Sequence, residues 1–563
     1  MQILSETKPY DVCIVGSGAG GGMAAKVLAD AGAEVVLLEG GPDWDSAKDS
    51  AMFKWPYESP RRGAGTPYRP FNDFMGTIGG WEVEGEPYLS AEGQSFLWWR
   101  SRMLGGRTNH YGRVSLRFGP HDFRMRSRDG LGDDWPIAYD ELAPYYDKVD
   151  ELIGIFGSQE NLPNDPDGKF QPAPKPRCLD LLVKKGCDRL GITCIPARMA
   201  ILTKPLNGRA PCHYCGQCGR GCSTYSNFSS PPVLLRPALQ TGRLKILTGA
   251  MAREVTTDNE DRATGVSYVR TSDGREQRVR AKVVVLAASA CESARLLLNS
   301  RAVRHPDGLA NSSGAVGRYL TDSTGTYIRG YFPQLMDGIP HNDDGANGIH
   351  MYMPWWLDNR SLDFPRGYHI QFYGGRQMPQ YGAMPGIQRW NGGGYGESLK
   401  GDYRKFYGSV IAFQGLGEMV PNKDSYCEVD PGVVDKFGIP VLRFHFKWSD
   451  FELKQIRHVQ ETCRDLIEKM GGTPLDPMPG KEQGYGITVG GEMIHEVGTT
   501  RMGESPKTSV LNAWCQAHDV PNLFVADGGP FVSNADKNPT WTILALSWRT
   551  AEHIAEELKK GNL

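Results

Sequence analysis

Apolar and polar positions follow three different rhythms along this chain. Near the N-terminus an unbroken apolar run, Val12 to Val15, precedes a small-residue stretch, Gly21 to Ala31, and a second short run, Glu34 to Leu38. Apolar runs of that length predict strands buried on both faces, and the stretch between them predicts a helix, so the three make a βαβ unit. Val283 to Ala288 predicts that the same sheet resumes far downstream, after a strand, a DG turn and a strand, and before a helix over Ser289 to Asn299. From about Thr326 to Gly484 short alternating segments such as Val441 to Lys447 predict antiparallel strands, and Ser449 to Met470 predicts one long amphipathic helix. The segment after Pro136 carries apolar residues at helical spacing and reads as a packing helix. Trp44 to Trp99 has little periodicity and reads as surface excursions to which no chemistry is assigned.

The fold class expected is therefore α/β, α+β overall. A discontinuous Rossmann-like domain takes residues 1–205, 224–325 and 485–563, with the excursions at 44–99. A cysteine loop occupies 206–223, and a substrate domain with a mainly antiparallel sheet backed by helices occupies 326–484. Composition narrows the function. With 563 residues and 40% apolar side chains the chain can bury a large core. A formal charge of -2 gives no broad electrostatic footprint for nucleic acid or anionic lipid. No run approaches the roughly 18 apolar residues of a membrane span, and the first residues lack the layout of a signal peptide.

Three stretches carry candidate chemistry. Gly16, Gly18 and Gly21 form G-x-G-x-x-G between the first strand and helix, where glycines permit a tight turn, close approach of backbone N–H groups to a pyrophosphate, and helix–strand packing. Glu39 closes the second strand, where a carboxylate can accept ribose hydroxyl protons. This pattern fits FAD and NAD equally. Gly105 and Gly106 again suit close approach to a flat or charged ligand, and His110 follows them as either a packed turn histidine or a cofactor neighbour. Cys212, Cys215, Cys218 and Cys222 give C-x2-C-x2-C-x3-C, the compact run that wraps an iron–sulfur cubane; a zinc site and a disulfide pair are the alternatives. Ser223 stands where ferredoxins place proline, which leaves a three-iron and a four-iron cluster both open. The aromatics Trp355, Trp356, Phe372, Tyr373 and Trp390 can stack on sugar faces or fill a core.

Taken together, GSGAGG with Glu39, LGGRTNHYG, DWPIAYDELAPYY, AASACESARLLLNS, HEVGTTRMG and NLFVADGGPFVSNADKNPTWTILALSWRTAEHI resemble the glucose–methanol–choline (GMC) oxidoreductases over most of the chain. With the cysteine run, the resemblance narrows to the large subunits of bacterial FAD-dependent sugar dehydrogenases. It implies that His495 and Asn538 sit over the flavin N5 edge. There a neutral imidazole takes the substrate hydroxyl proton as hydride leaves for N5, and Asn538 donates to the developing alkoxide. It places Asp527 and Gly528 at the ribityl–phosphate region, Pro539 and Thr540 near the ring, and the segment holding Asn109 and His110 beside the isoalloxazine; in some relatives that histidine bonds the flavin covalently. Asp322 stands where many relatives have histidine, so no role carries over to it.

The cluster implied by the resemblance favours a dehydrogenase over an oxidase, because a one-electron relay splits the electron pair. The substrate expected is a sugar or glycoside, oxidised at C3 of glucosides. The expected partners are a small accessory subunit carrying an export signal and a cytochrome c or quinone acceptor. The expected location is the periplasm, with the cytoplasm as the alternative.

Overall fold

The strand Tyr10–Val15, the helix Ala19–Asp30 and the strand Val35–Glu39 form the expected βαβ unit, and their residues explain how tightly it closes. A Cβ at Gly20 would lie 1.5 Å from the Ala526 carbonyl oxygen and one at Gly21 would lie 2.0 Å from that of Gly16, so only glycine lets the helix settle onto the sheet. The description comes from a computed structural model and covers residues 4–5, 9–50, 52, 55, 58, 77–338, 346–354, 361–375 and 394–563. Trp355, Trp356 and Trp390 lie outside the described residues, as does much of the excursion before Trp99.

The strand Glu276–Leu286 is the hinge of the larger sheet. Its second half runs parallel to Tyr10–Val15 on one side, with Val283 opposite Val12, and to Leu523–Val525 on the other. Its first half pairs antiparallel with Ala263–Arg270, which pairs in turn with Ala250–Thr257. Leu244–Thr248 extends the far edge beside Val35–Glu39. The helix Thr540–Lys560 packs on Ala19–Asp30 and on Tyr139–Ile153. Hydrogen bonds from Trp541 Nε1 to Asp150 (2.6 Å) and between Tyr146 and Thr542 (2.6 Å) pin its first turn, which fixes where the preceding Asn538 stands.

A second sheet is antiparallel throughout, in the order Thr473–Pro474, Thr324–Tyr331, Val410–Gly417, Tyr368–Gly374, Met351–Met353 and Ile195–Pro196. The helices Asp450–Lys469 and Cys178–Leu190 share an apolar core with it through Ile328, Phe413, Val459, Leu466 and Val183. Ser449 caps the longer helix, accepting from Phe451 N while Glu452 accepts from Ser449 N at 2.7 Å, a device worth about 1 kcal/mol. Cys178–Leu190 and Ile195–Pro196 join this sheet although they precede the cysteine run. Two expectations change. The strand expected at Val441 to Lys447 is Pro440–His445 and belongs to a separate small sheet with Tyr426–Val434 and Leu89–Ser90, because its apolar face meets Phe96 and Trp98. The segment ending at Trp99 is no mere excursion: Trp81, Trp98 and Trp99 are buried, and Gly79–Gly80 pairs with Arg100–Ser101.

Candidate active site

The two sheets meet across a cavity of about 530 Å³ that runs from Glu39 and Met251 past Gly16, Gly18 and Asp527 to His495, Asn538 and Tyr327. At the nucleotide end, Gly16 has φ +99° and a Cβ there would strike the Ala287 carbonyl at 2.3 Å, so the backbone demands glycine. Gly18 and Gly106 are glycine for another reason. A Cβ on Gly18 would meet nothing within 4 Å, and one on Gly106 would meet only Gly18 itself, so both line space that belongs to a bound molecule. The helix at Ala19 begins without a side-chain cap, leaving its first N–H groups for a phosphate. Glu39 accepts from Gly41 N at 2.8 Å and from the Ser17 hydroxyl, and burial raises its carboxyl above the ordinary range. Asp527 accepts from Ser293 Oγ (2.5 Å) and Gly529 N (2.7 Å), and burial pushes it up to about 6. Long shape, open glycines, uncapped helix and ribose-height carboxylate together fit a dinucleotide.

At the other end, His495 and Asn538 meet. Asn538 Nδ2 donates to His495 Nε2 at 3.1 Å, and His495 Nδ1 lies 2.9 Å from Ser323 Oγ, which also accepts from Asn534 Nδ2 at 3.1 Å. With Nε2 accepting, Nδ1 carries the hydrogen, and the free face of the ring opens on the cavity. Burial, then His369 and Arg107, lowers this imidazole to about 3, so it is neutral and able to take a proton. Asp322, whose role no resemblance supplied, accepts the backbone N–H groups of Gly491 (2.7 Å) and His495 (3.0 Å), and burial followed by the nearby Glu496 pushes it up to about 7. It holds the loop that carries His495. Pro539 and Thr540 line the cavity at the uncapped start of the last helix, whose partial positive charge suits an anionic group there.

Not every expected residue reaches the cavity. Gly21 packs against Gly16, and Gly105, with φ +90°, packs against Pro231, where a Cβ would come within 2.4 Å. Asn109 is displaced from its expected role: its short amide turns inward to the Leu104 carbonyl at 2.8 Å and braces the turn. Gly528 lies on the wall. His110 also lies on the wall, edge-on to Trp99, with Nε2 3.2 Å from Ser101 Oγ; burial, Arg113 and Arg107 lower it to about 3. Sequence reasoning missed Arg107, whose guanidinium donates to Glu496 at 2.6 Å; the other oxygen of Glu496, also on the wall, has no partner and remains an acceptor for a bound group. It missed as well His369, which donates through Nδ1 to the Asp536 carbonyl and accepts through Nε2 from Gln371 at 2.8 Å, and Gln371, whose amide lies 3.5 Å from Asn538 Oδ1.

The cysteine loop adjoins this wall. Arg113 donates to the carbonyls of Asn109 (2.7 Å) and Tyr111 (2.6 Å) on one side and lies 3.5 Å from that of Cys218 on the other. Burial pushes the Cys222 thiol up, but the hydroxyls of Ser226 (3.2 Å) and Thr224 and the amides of Asn227 and Thr224 outweigh it and hold the thiol below its ordinary value. Cys218 is pushed up to about 12 by burial, so a metal must displace its proton. Among the described residues the only trio of ligand atoms within 4.8 Å of one another is Asp122, Glu418 and Asp536, all buried, and Lys537 fills that site by pairing with Asp122 (3.0 Å) and Asp536 (2.5 Å). No three of the cysteine sulfurs lie within 4.8 Å of one another.

Comparison with known proteins gives this geometry its context. Two GMC oxidoreductase family models match, one over residues 18–324 and one over residues 421–547. The chain is 31% identical to a 2-methyl-1,2-propanediol dehydrogenase of Mycolicibacterium austroafricanum, covering 97% of this chain and 95% of that one. It is 28% identical to the fructose dehydrogenase large subunit of Gluconobacter japonicus, covering 99% and 100%. Among solved structures, the pyridoxine 4-oxidase of Mesorbium loti superposes with a TM-score of 0.63 at 17% identity over 97% of this chain and 99% of that one, a likeness of fold. The chain belongs to the GMC oxidoreductases and is an FAD-dependent enzyme that oxidises CH–OH groups.

Proposed function

We propose that this enzyme is a dehydrogenase acting on a secondary hydroxyl of a sugar or glycoside, in the narrowest form the C3 hydroxyl of glucosides, to give 3-keto glycosides. Bound FAD supplies the hydride acceptor, at flavin N5. The chain supplies the rest. His495 Nε2 takes the hydroxyl proton, and Ser323 keeps the ring in the tautomer that leaves that nitrogen free to accept. The Asn538 amide N–H, 3.1 Å from that nitrogen, passes to the substrate oxygen as negative charge grows on it. Asp322 and Gln371 hold the two side chains in place from behind.

The observation that carries the sugar reading is a polar rung across the second sheet. Tyr327, Gln414 and Gln371 are directly opposed on three neighbouring strands and so share one face. Gln414 Nε2 donates to the Tyr327 hydroxyl at 2.7 Å, and Tyr373 lies within 2.7–2.8 Å of the oxygens of both glutamines. At ~4.8 Å per strand the rung spans roughly 10 Å, from beside Asn538 to the half-exposed Tyr327. Gln371 anchors the rung behind Asn538, and ring hydroxyls can pair with Tyr327, Tyr373 and Gln414, which line the cavity. A monohydric alcohol would leave most of them unused.

Electrons are proposed to leave through an iron–sulfur centre, 4Fe-4S or 3Fe-4S, held by Cys212, Cys215, Cys218 and Cys222, toward a cytochrome c or quinone. The compact C-x2-C-x2-C-x3-C spacing supports this over zinc, and the hydroxyls around Cys222 suit a thiolate ligand. The similarity to a protein named as a large subunit supports a small accessory subunit, one that carries the export signal and places the enzyme in the periplasm. The test is a panel of glucose, gluconate, fructose, sorbitol, several glucosides and simple diols, offered with either an artificial dye or oxygen as acceptor, with product analysis and metal content. Dye-linked oxidation of glycosides by an iron- and sulfide-containing protein is expected. Fast turnover with oxygen by a zinc-containing protein would replace the reading with that of a sugar oxidase.

A further inference from the structure

Two arginines beside the cysteine loop are buried without a counter-charge. Arg113 is 1% exposed and Arg209 8% exposed. Other buried arginines have carboxylates at hand: Arg198 meets Asp165 at 2.9 Å and Arg295 meets Asp435 at 2.7 Å, and Arg100, although it bonds only the Glu86 and Trp81 carbonyls, has the Glu86 and Glu292 carboxylates near enough to act on it. Arg113 and Arg209 have no carboxylate among the described residues. Arg113 bonds only backbone carbonyls, and its Nε has no acceptor; Arg209 bonds the Ile153 carbonyl, and its Nη1 has none. The groups that could supply negative charge to Arg113 are the thiols of Cys218 and Cys222 and the Tyr111 phenol, His110 beside it being a neutral imidazole, and Cys222 alone acts on Arg209. Arg113 also sits at φ +61°, a conformation that favours glycine, so the fold holds this side chain where it is against backbone strain.

A buried guanidinium facing neutral thiols is an uncompensated charge, which is costly unless an anion occupies the space between them. Four thiolates around a metal–sulfur unit are such an anion. We propose that Arg113 and Arg209 are the counter-cations of the centre held by the cysteine loop, and that Arg113 raises its reduction potential. Reduction adds one negative charge to a unit already negative, and a fixed cation stabilises the more negative state. The position of Arg113 gives this a use. It bonds the carbonyls of Asn109 and Tyr111, in the segment whose His110, Tyr111 and Gly112 wall the flavin cavity, while also approaching Cys218, so the cation stands where electrons pass from flavin to centre. The inference rests on the iron–sulfur reading of the cysteine loop.

The experiment compares Arg113→Gln, Arg113→Lys and Arg209→Gln with the wild-type holoenzyme, all purified anaerobically. Iron, sulfide and zinc are measured first, and the centre is then titrated by paramagnetic resonance while the flavin is followed by absorbance. Arg113→Gln is expected to lower the reduction equilibrium of the centre about tenfold, or about 59 mV for a one-electron couple. Arg113→Lys should recover most of that shift, and Arg209→Gln should move the potential the same way. Centres that titrate alike in Arg113→Gln and wild type would overturn the inference while leaving the relay intact. So would loss of the centre from both Arg113 variants, since shape and not charge would then be what matters. A wild-type protein with zinc and no iron or sulfide would instead remove the relay on which the inference rests.

Discussion

Replacing Asn538 by aspartate or by alanine separates the two tasks assigned to its amide. In the native site Asn538 Nδ2 donates to His495 Nε2 at 3.1 Å, and the imidazole, lowered to about 3, is neutral over the whole working range. Asn538→Ala removes one hydrogen bond to the developing alkoxide, which costs on the order of 10²–10³ in rate, or about 3–4 kcal/mol, without adding charge. Asn538→Asp costs the same donor and also sets an anion against the base. Two acceptors cannot face each other at that distance without a shared proton, and an opposite charge so near raises a histidine by roughly 1–3 pH values. The base should then lose its proton at about pH 4–6 instead of about 3, so the rate of the aspartate variant should climb with pH across that window while the alanine variant stays flat. The assay is anaerobic stopped-flow reduction of the flavin by excess substrate from about pH 4.5 to 9. An alanine variant close to wild-type rate, or identical pH profiles for the two variants, would refute the assignment.

Ser323→Ala leaves the Nδ1–H of His495 and the amide of Asn534 without their buried acceptor, at about 1–3 kcal/mol each. Thermal unfolding should report that loss, and flavin reduction should slow by roughly tenfold or more as the tautomer is released. Asp322 is raised from 3.8 to about 7 in the folded chain, so its contribution to stability is complete below about pH 4 and is lost as pH rises through about 7. Relative to Asp322→Asn, the wild type should therefore lose on the order of 4 kcal/mol between those limits, visible as a melting-temperature difference that shrinks or reverses with rising pH. Gln414→Leu breaks the polar rung, and kcat/KM for glycosides should fall about tenfold while that for a small diol is retained.

What could be read from the sequence was local in it. The turn Gly16 to Gly21 and the carboxylate at Glu39 belong to one βαβ unit, where spacing alone dictates geometry. Cys212 to Cys222 sits within eleven residues for the same reason. What could not be read depends on contacts between distant segments. Ser323 and Asp322 matter only because the loop carrying His495 comes to rest against them, and a serine before a strand gives no pattern. His369, Gln371 and Gln414 sit in strands whose alternation announces a sheet but not which face meets Asn538. The aromatic stretch ending at Trp99 concealed that Trp99 is a wall residue, because tryptophans that pack a core and tryptophans that line a cavity look alike in sequence. Asn109 was misplaced by proximity, since an asparagine three residues beyond Gly106 can turn outward or brace its own turn.

The most direct test of the whole account is the reductive half-reaction of His495→Ala, followed anaerobically with FAD content and fold checked beforehand. With the base gone, flavin reduction by substrate should fall by about 10²–10⁴-fold at neutral pH while FAD remains bound. Reduction at close to the wild-type rate would contradict the claim that His495 takes the proton.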